Sequence, residues 1–105
     1  QLSPCESPAH CARLDWKRID PIESLDELAK VIQQTPRSEI VEQRSNYLHA
    51  TASSRIFGFV DDLELYADRE RSVLQARSVS RLGESDLGIN EQRLRSLEAA
   101  LSNQE

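Results

Sequence analysis

The residues best suited to chemistry are polar side chains concentrated towards the end of the chain. Within 17 residues the sequence places Arg77, Ser78, Ser80, Arg81, Ser85, Asp86, Asn90 and Arg93. Three carboxylates, Asp61, Asp62 and Glu64, precede them on a separate segment. Guanidinium groups bind carboxylates and phosphates, and paired carboxylates can serve as general acid and base. The two sets therefore suggest ion pairing inside the domain, binding of an anion, or hydrolysis.

Ion pairing inside the domain is the simplest of these interpretations. If the two segments are neighbouring strands, Arg77 or Arg81 can form bidentate pairs with the carboxylates and fix the strand register. Ser85 and Asp86 then close a turn in a loop that contains two glycines, and Asn90 caps the helix that follows. Each polar residue has a local structural role under this interpretation.

The same residues permit a site for a small anion or other small ligand. The N-terminus of the last helix follows a glycine-containing loop and is flanked by Arg81 and Arg93, which suits a carboxylate or phosphate. Asp86 places a negative charge at the same point, which opposes anion binding. The candidate binding motif is Arg77, Ser80, Arg81, Ser85, Asp86, Asn90 and Arg93, with Asp61, Asp62 and Glu64 as ion-pair partners.

Catalysis is the least supported of the three. Asp61 and Asp62 are adjacent on a predicted strand, so their side chains point to opposite faces. His49 lies near Ser53 and Ser54 in sequence, but no nucleophile elbow surrounds either serine. The sequence has no phosphate-binding loop, dinucleotide fingerprint or zinc-protease helix. We therefore assign no catalytic residue and no cofactor, and expect a protein that is not an enzyme; a hydrolase is the less favoured alternative.

The only two cysteines, Cys5 and Cys11, allow three interpretations. Pro4 and Pro8 bend the segment, so the pair can close a small disulfide loop of the kind that persists outside the reducing cytosol. Two free thiols are the second interpretation. A metal site that includes His10 is the third, but a structural zinc site needs a fourth ligand and adjacent His10 and Cys11 chelate awkwardly. The disulfide is favoured, and no metal is expected.

Length and charge exclude several classes of protein. The chain has 105 residues and a net charge of −5, which suits one domain and opposes general binding to nucleic acid or anionic membranes. No apolar run approaches the roughly 20 residues of a membrane helix. Of the cations, 11 are arginine and 2 are lysine, which favours ordered ion pairs. The first residue is Gln1 rather than methionine, which suggests a mature chain after leader removal.

The periodicity of apolar residues predicts five strands and two helices. The strands are predicted over residues 14–19, 39–44, 47–53, 57–68 and 73–81. The first helix is predicted to start at a capping box formed by Ser24 and Glu27 and to end at Thr35. The last helix is predicted to follow Asn90 as its N-cap, with Leu94 on its apolar face.

The order of these elements predicts an α+β fold. Strand, helix, four strands and helix form, in the simplest arrangement, one antiparallel sheet with both helices on one face. The other face of the sheet is then partly exposed or covered by something else. We divide the chain into a Pro/Cys-rich loop over residues 1–13 and a single α+β domain over residues 14–105.

Three stretches resemble a known family. Residues 4–11 contain two cysteines spaced by prolines and a serine, residues 59–64 contain Asp-Asp-Leu-Glu, and residues 77–90 read Arg-Ser-Val-Ser-Arg-Leu-Gly-Glu-Ser-Asp-Leu-Gly-Ile-Asn. Together they resemble the bacterial and plastid family known as domain of unknown function 1499. Glu6 and His10 stand where that family's pattern has proline and asparagine. The resemblance implies a secreted, periplasmic or thylakoid-lumen domain and brings no catalytic mechanism.

These observations lead to one expected function and one alternative. We expect a non-catalytic extracytoplasmic accessory domain that docks on a larger membrane-embedded protein complex, with a photosynthetic complex as a natural partner by association with the family. The alternative is a binding protein for a small anion or ligand that uses the motif at residues 77–93. No nucleic-acid partner is expected.

Overall fold

The computed structural model of the chain describes residues 1–55, 58–83 and 85–103. Its elements are β1 (Cys11–Lys17), α1 (Pro21–Gln34), β2 (Ser38–Arg44), β3 (Tyr47–Ser53), β4 (Val60–Asp68), β5 (Val73–Ser80) and α2 (Ile89–Ala100). The strands form one antiparallel sheet in the order β1-β5-β4-β3-β2. The predicted α+β fold is therefore confirmed.

One face of the sheet, called the inner face, carries both helices. Alternation along β4 places Asp61, Leu63, Leu65 and Ala67 on this face, where all four are buried. Helix α1 packs on β2 to β5, and α2 packs on β1 and β5. The largest fully buried apolar side chains between the layers are Leu25, Leu28, Leu48, Leu65, Leu74 and Leu94. Burial of these leucines between sheet and helices is the main source of stability.

The opposite face, called the outer face, is polar and carries the N-terminal segment. The backbone N–H of Leu2 donates a hydrogen bond of 2.9 Å to Oε1 of Gln75 on β5. Both residues are buried, although Gln75 belongs to the outer face. A guanidinium N–H of Arg13 on β1 donates to the carbonyl of Leu2. The first residues of the chain therefore cover part of the sheet.

Several strand limits differ from the prediction. Strand β1 covers Cys11–Lys17 rather than 14–19, because it pairs with β5 from Cys11 opposite Val79 to Lys17 opposite Val73. The first strand thus begins inside the segment predicted as an N-terminal loop, residues 1–13, and the division of the chain at residue 13 stays a prediction. Strand β4 starts at Val60, and residue 57, its predicted start, lies outside the described residues. Strand β5 ends at Ser80, one residue early.

The predicted capping box of α1 is wrong. The N-cap is Asp20, whose Oδ1 accepts a 3.0 Å hydrogen bond from the backbone N–H of Glu23. Pro21 follows as the first helical residue, where its fixed φ and missing N–H are favourable. Ser24 lies inside the helix, is buried, and accepts a 2.7 Å hydrogen bond from Nε of Arg18. The end of the helix at Gln34, with Thr35 as C-cap, agrees with the prediction.

The predicted N-cap of α2 is also wrong. The N-cap is Gly88, with φ of 82°, a left-handed conformation that glycine adopts without steric cost. Asn90 is the second residue of the helix and is completely buried. Contacts with the sheet, rather than capping, determine the position of its side chain.

Strand β2 forms an irregular edge of the sheet. Its register with β3 shifts between Ile40 and Glu42, so Val41 forms a bulge. All residues from Val41 to Arg44 are exposed. In the described part of the chain, no helix is long and apolar enough to cross a membrane.

The two cysteines form a disulfide, which selects one of the three interpretations. Cys5 and Cys11 are bonded with their Cα atoms 5.7 Å apart. Cys11 is also the first residue of β1, so the bond attaches the loop of residues 5–11 to the edge of the sheet. Two contacts extend from this loop towards α2: Ala9 O accepts from the N–H of Asp86, and His10 O accepts from the amide of Asn90.

Candidate functional site

The structure divides the predicted motif between the two faces of the sheet. Arg77 and Arg81 belong to the outer face and pair with carboxylates of β4. Ser78, on the inner face of β5, hydrogen-bonds to Asn90 on α2. Arg93 on α2 also lies at the inner face and pairs with Asp61. The seven residues therefore do not form one ligand site, and the predicted opposite orientation of Asp61 and Asp62 is confirmed.

Asp62 is the centre of a cluster on the outer face. Nε and Nη2 of Arg81 lie 2.8 and 3.0 Å from its two carboxylate oxygens, a bidentate ion pair. Nε2 of His49 on β3 lies 2.8 Å from Oδ1. The hydrogen bonds from Arg81, followed by that from His49, hold the pKa of Asp62 below its usual value despite partial burial. This cluster joins three neighbouring strands.

Glu64 forms a second cluster on the same face. It lies directly opposite Arg77 in the register of β4 and β5, and Nη1 of Arg77 is 3.5 Å from Oε1. The hydroxyl of Tyr47 on β3 donates to Oε2 at 2.6 Å. Burial and the adjacent carboxylate raise the pKa of Tyr47, so its hydroxyl stays protonated. The predicted pairing of arginines with strand carboxylates is therefore present at both positions.

A third cluster is buried between the sheet and α2. Nη1 of Arg93 lies 2.8 Å from Oδ2 of Asp61 and 3.0 Å from both Oγ of Ser78 and Oδ1 of Asn90. The Ser78 hydroxyl donates to Oδ1 of Asn90 at 2.6 Å. The Asn90 amide nitrogen also donates to Oγ of Ser80 at 2.9 Å. This cluster holds α2 against β4 and β5.

Asp86 occupies the position proposed for an external anion. Its Oδ1 accepts a 2.8 Å hydrogen bond from the backbone N–H of Gly88, and Oδ2 accepts from the side-chain amide of Asn90 at 2.6 Å. Burial opposes ionisation, but the hydrogen bonds from Asn90 and Gly88 outweigh it and lower the pKa of Asp86. Ser85 accepts from the N–H of Leu87 in the same turn. The N-terminus of α2 is therefore neutralised by the chain's own carboxylate.

Within the described residues, no hydrogen bond joins His49 to Ser53 or Ser54, the two serines near it in sequence. His49, the candidate base, is paired with Asp62. Oγ of Ser54 accepts a 2.9 Å hydrogen bond from the backbone N–H of Phe59, so this side chain has a structural partner just before β4. Within residues 1–55, 58–83 and 85–103, no group of three or more His, Cys, Asp or Glu residues could hold a metal ion.

Four of the six exposed large apolar side chains in the described residues lie at one end of the domain, which we call the apolar end. It consists of Phe59, just before β4, Leu82, just after β5, and Leu87 and Ile89 at the start of α2. Because β4 and β5 are antiparallel, with Asp61 opposite Ser80, residues 59 and 82 leave the sheet side by side. Leu82 and Leu87 are 73% and 90% exposed. This clustering was not predicted, although Leu82 and Leu87 stand out as leucines in a polar loop.

A cleft between α1 and α2 is the other feature that the sequence analysis missed. Its volume is about 330 Å³, and Ala50 and Ala52 on β3 lie at its base. The two alanines are two positions apart on one strand, so both point to the inner face. Two alanines at this spacing are the feature of the sequence that could have predicted the cleft, since side chains this small leave space beneath a layer of helices.

The comparison with protein families gives one match. The family described as "Protein of unknown function (DUF1499)" matches residues 2–101, almost the whole chain. This confirms the resemblance drawn from residues 4–11, 59–64 and 77–90. No match was found among curated proteins.

Proposed function

The chain belongs to the DUF1499 family of proteins of unknown function, and we propose that it is a non-catalytic extracytoplasmic domain that docks on a larger membrane-embedded complex. The apolar end is the observation that carries this proposal. Its side chains come from three separate places in the chain, all at the end of the sheet where β4 begins and β5 ends. Clustered exposed apolar side chains are typical of surfaces that bind a protein or membrane partner.

The conformation of Leu87 supports a role for the apolar end outside folding. Its φ is 54°, in the left-handed region that costs a residue with a β-carbon about 1 kcal/mol or more. Its side chain is 90% exposed, so packing within the domain does not compensate for this cost. A costly conformation that presents an apolar side chain to solvent favours a partner that covers it.

The charged clusters support a non-catalytic role. Asp61, Asp62 and Glu64 each pair with an arginine of the same domain. Catalytic acids and bases need access to substrate, whereas these carboxylates connect β4 to β5 and α2. The arginine-rich motif accordingly acts as internal bracing in this proposal.

The disulfide supports an extracytoplasmic location. Bonds such as that between Cys5 and Cys11 persist in oxidising compartments and are rare in the cytosol. The location that we propose is the periplasm or the thylakoid lumen. A photosynthetic complex is the partner we propose first, because the family resemblance points to those compartments.

Co-purification with variants of the apolar end tests the proposal. The tagged chain would be expressed in its source cells, and membranes would be solubilised in mild detergent before affinity purification. The matched variants are Leu82→Ser with Leu87→Ser, which make the apolar end polar, and Ile19→Ser as control. Ile19 is 61% exposed but follows β1, remote from the apolar end in the sheet.

We expect the wild-type chain and the Ile19→Ser variant to co-purify with the same integral membrane protein, and the double variant to lose it. Equal recovery by all three chains would overturn docking through the apolar end. Recovery of the wild-type chain only in soluble fractions would overturn docking on a membrane complex. Binding of the wild-type chain to protein-free lipid vesicles as strongly as to the membranes would overturn it too.

A further inference from the structure

The cleft between α1 and α2 has the size and lining of a site for a small molecule. Its volume is about 330 Å³, its base is Ala50, Ala52 and Leu63, and its walls include Val31 on α1 and Leu97 on α2. Pockets for small molecules are concave, mostly apolar, and begin at about 300 Å³. The cleft therefore suits a short apolar ligand.

The depth of the cleft comes from the two alanines of β3. Ala50 and Ala52 face the same side of the sheet, towards the space between the helices. Their single methyl groups fill little of that space, and the residues opposite them on β4 are Leu63 for Ala50 and Asp61 for Ala52. A hydrocarbon group placed here would contact apolar atoms of the sheet and both helices.

Arg93 provides the charged group in this cleft, whose other polar lining residues, such as Gln92 and Ser96, are uncharged. Among the described residues that line the cleft, it is the one charged side chain. Its Nη1 is held by Asp61, Ser78 and Asn90, which fix the guanidinium group in place. Nε and Nη2 have no hydrogen-bond partner within the part of the chain that the structure describes, and the side chain is 23% exposed.

The free edge of Arg93 determines the chemical class of the ligand. Nε and Nη2 form a pair of parallel donors whose spacing matches the two oxygens of a carboxylate. Because Asp61 already neutralises much of the guanidinium charge, a second anionic group on the ligand would meet no second cation among the described residues that line the cleft. The site therefore favours one carboxylate on an apolar body.

We propose that the α1–α2 cleft binds a small amphipathic monocarboxylate. The carboxylate would accept hydrogen bonds from Nε and Nη2 of Arg93, and the hydrocarbon body would lie on Ala50, Ala52 and Leu63. This proposal does not depend on docking through the apolar end, because the two features use different surfaces apart from Ile89 at the rim of the cleft.

Titration calorimetry with hexanoate and the whole chain tests the site. Hexanamide, which has the same hydrocarbon body without the charge, is the matched ligand control. Ala52→Leu fills the cleft at a half-buried position, and Ala100→Leu adds the same volume at the exposed end of α2. Arg93→Lys keeps the positive charge beside Asp61 but removes the paired donors.

We expect saturable binding of hexanoate by the wild-type chain and by Ala100→Leu. The wild-type chain should bind hexanamide about tenfold or more weakly than hexanoate, and Arg93→Lys should bind hexanoate more weakly by a similar factor, because a charged hydrogen-bond pair is lost. Ala52→Leu should bind hexanoate about tenfold or more weakly than the wild type, because the binding volume is lost. Absence of saturable hexanoate binding to the wild-type chain would overturn the proposal. So would equal affinity for hexanamide, or an Ala52→Leu variant that binds hexanoate like wild type while melting at the wild-type temperature.

Discussion

The hydroxyl of Ser78 donates a 2.6 Å hydrogen bond to Oδ1 of Asn90, and both residues are completely buried between the sheet and α2. The amide nitrogen of Asn90, which carries two N–H groups, lies within hydrogen-bonding distance of His10 O, Ser80 Oγ and Asp86 Oδ2, at 3.0, 2.9 and 2.6 Å. One side chain thus connects β5, the disulfide loop and the turn before α2. Because buried polar groups are costly when left unpaired, this residue should matter more to stability than its type suggests.

Replacement of Asn90 by alanine should lower the free energy of unfolding by about 3 kcal/mol, because several buried partners lose a hydrogen bond together. Urea denaturation followed by circular dichroism measures this change. Asn103→Ala is the control, since Asn103 is exposed beyond α2 and its replacement should change stability by less than about 0.5 kcal/mol. Equal stability of the two variants would contradict the proposed role of Asn90.

The ion pair between Arg81 and Asp62 predicts sensitivity to acid. The pKa of Asp62 is lower in the folded state than its usual value, so the unfolded chain binds more protons near that value and stability falls as the pH drops. This contribution is fully present above about pH 5 and is lost progressively below about pH 4. Asp62→Asn lacks this contribution. The unfolding free energy of that variant should therefore fall less than that of the wild type between about pH 6 and about pH 3.

The control for that titration is Asp26→Asn, at an exposed position on α1. It should keep the acid sensitivity of the wild type. Asp86 and Glu27, whose pKa values are also lowered, should leave some acid sensitivity in every variant. Parallel pH dependence of Asp62→Asn and wild type would rule out a contribution of the Asp62 pair.

Removal of the disulfide should loosen the start of α2 as well as the N-terminal loop. For a loop this short, the loss of chain-entropy stabilisation in Cys5→Ser with Cys11→Ser should be about 2 kcal/mol. Because Ala9 O accepts from the N–H of Asp86, hydrogen exchange at that amide should also accelerate. Wild-type protein in reductant should behave in the same way, and an unchanged exchange rate at Asp86 would disprove the coupling.

Leu87→Gly should separate stability from docking. Glycine tolerates the positive φ of this position, so the free energy of unfolding should rise by about 0.5 kcal/mol, while partner binding weakens because the exposed leucine is lost. Ser72→Gly is the matched control, since Ser72 has φ of 55° in the turn between β4 and β5. It should gain stability and keep the partner. Loss of partner binding in both variants, or in neither, would argue against a specific role of Leu87.

The regular elements were predictable because they depend on local periodicity. Alternation along residues 60–68 identifies a strand with one buried face, and the structure shows that alternation at every position of β4. The same parity places Arg77 on β5 and Arg81, the residue after β5, on one face of the sheet, away from Ser78. Strand alternation therefore carries much of the information about the charged clusters.

The helix starts and the inner cluster depend on information that periodicity lacks. At α1, both Asp20 and Ser24 have the residue type of an N-cap. The helix begins at Pro21, with Asp20 as N-cap, because proline is favourable as the first helical residue. At α2, Asn90 has the residue type of a cap, but its partners lie on β5 and in the disulfide loop. The pairing of Arg93 with Asp61 likewise requires the position of α2 on the sheet, which only tertiary packing provides.

The bulge at Val41 limits how copies of this chain can assemble. An open sheet edge can join the edge of another copy through backbone hydrogen bonds and grow into ribbons. At β2 the bulge interrupts the regular spacing of N–H and C=O groups, and the charged residues Glu42 and Arg44 follow it along the strand. A second copy would therefore meet a misaligned and charged edge at β2, which opposes the growth of this five-stranded sheet through that edge.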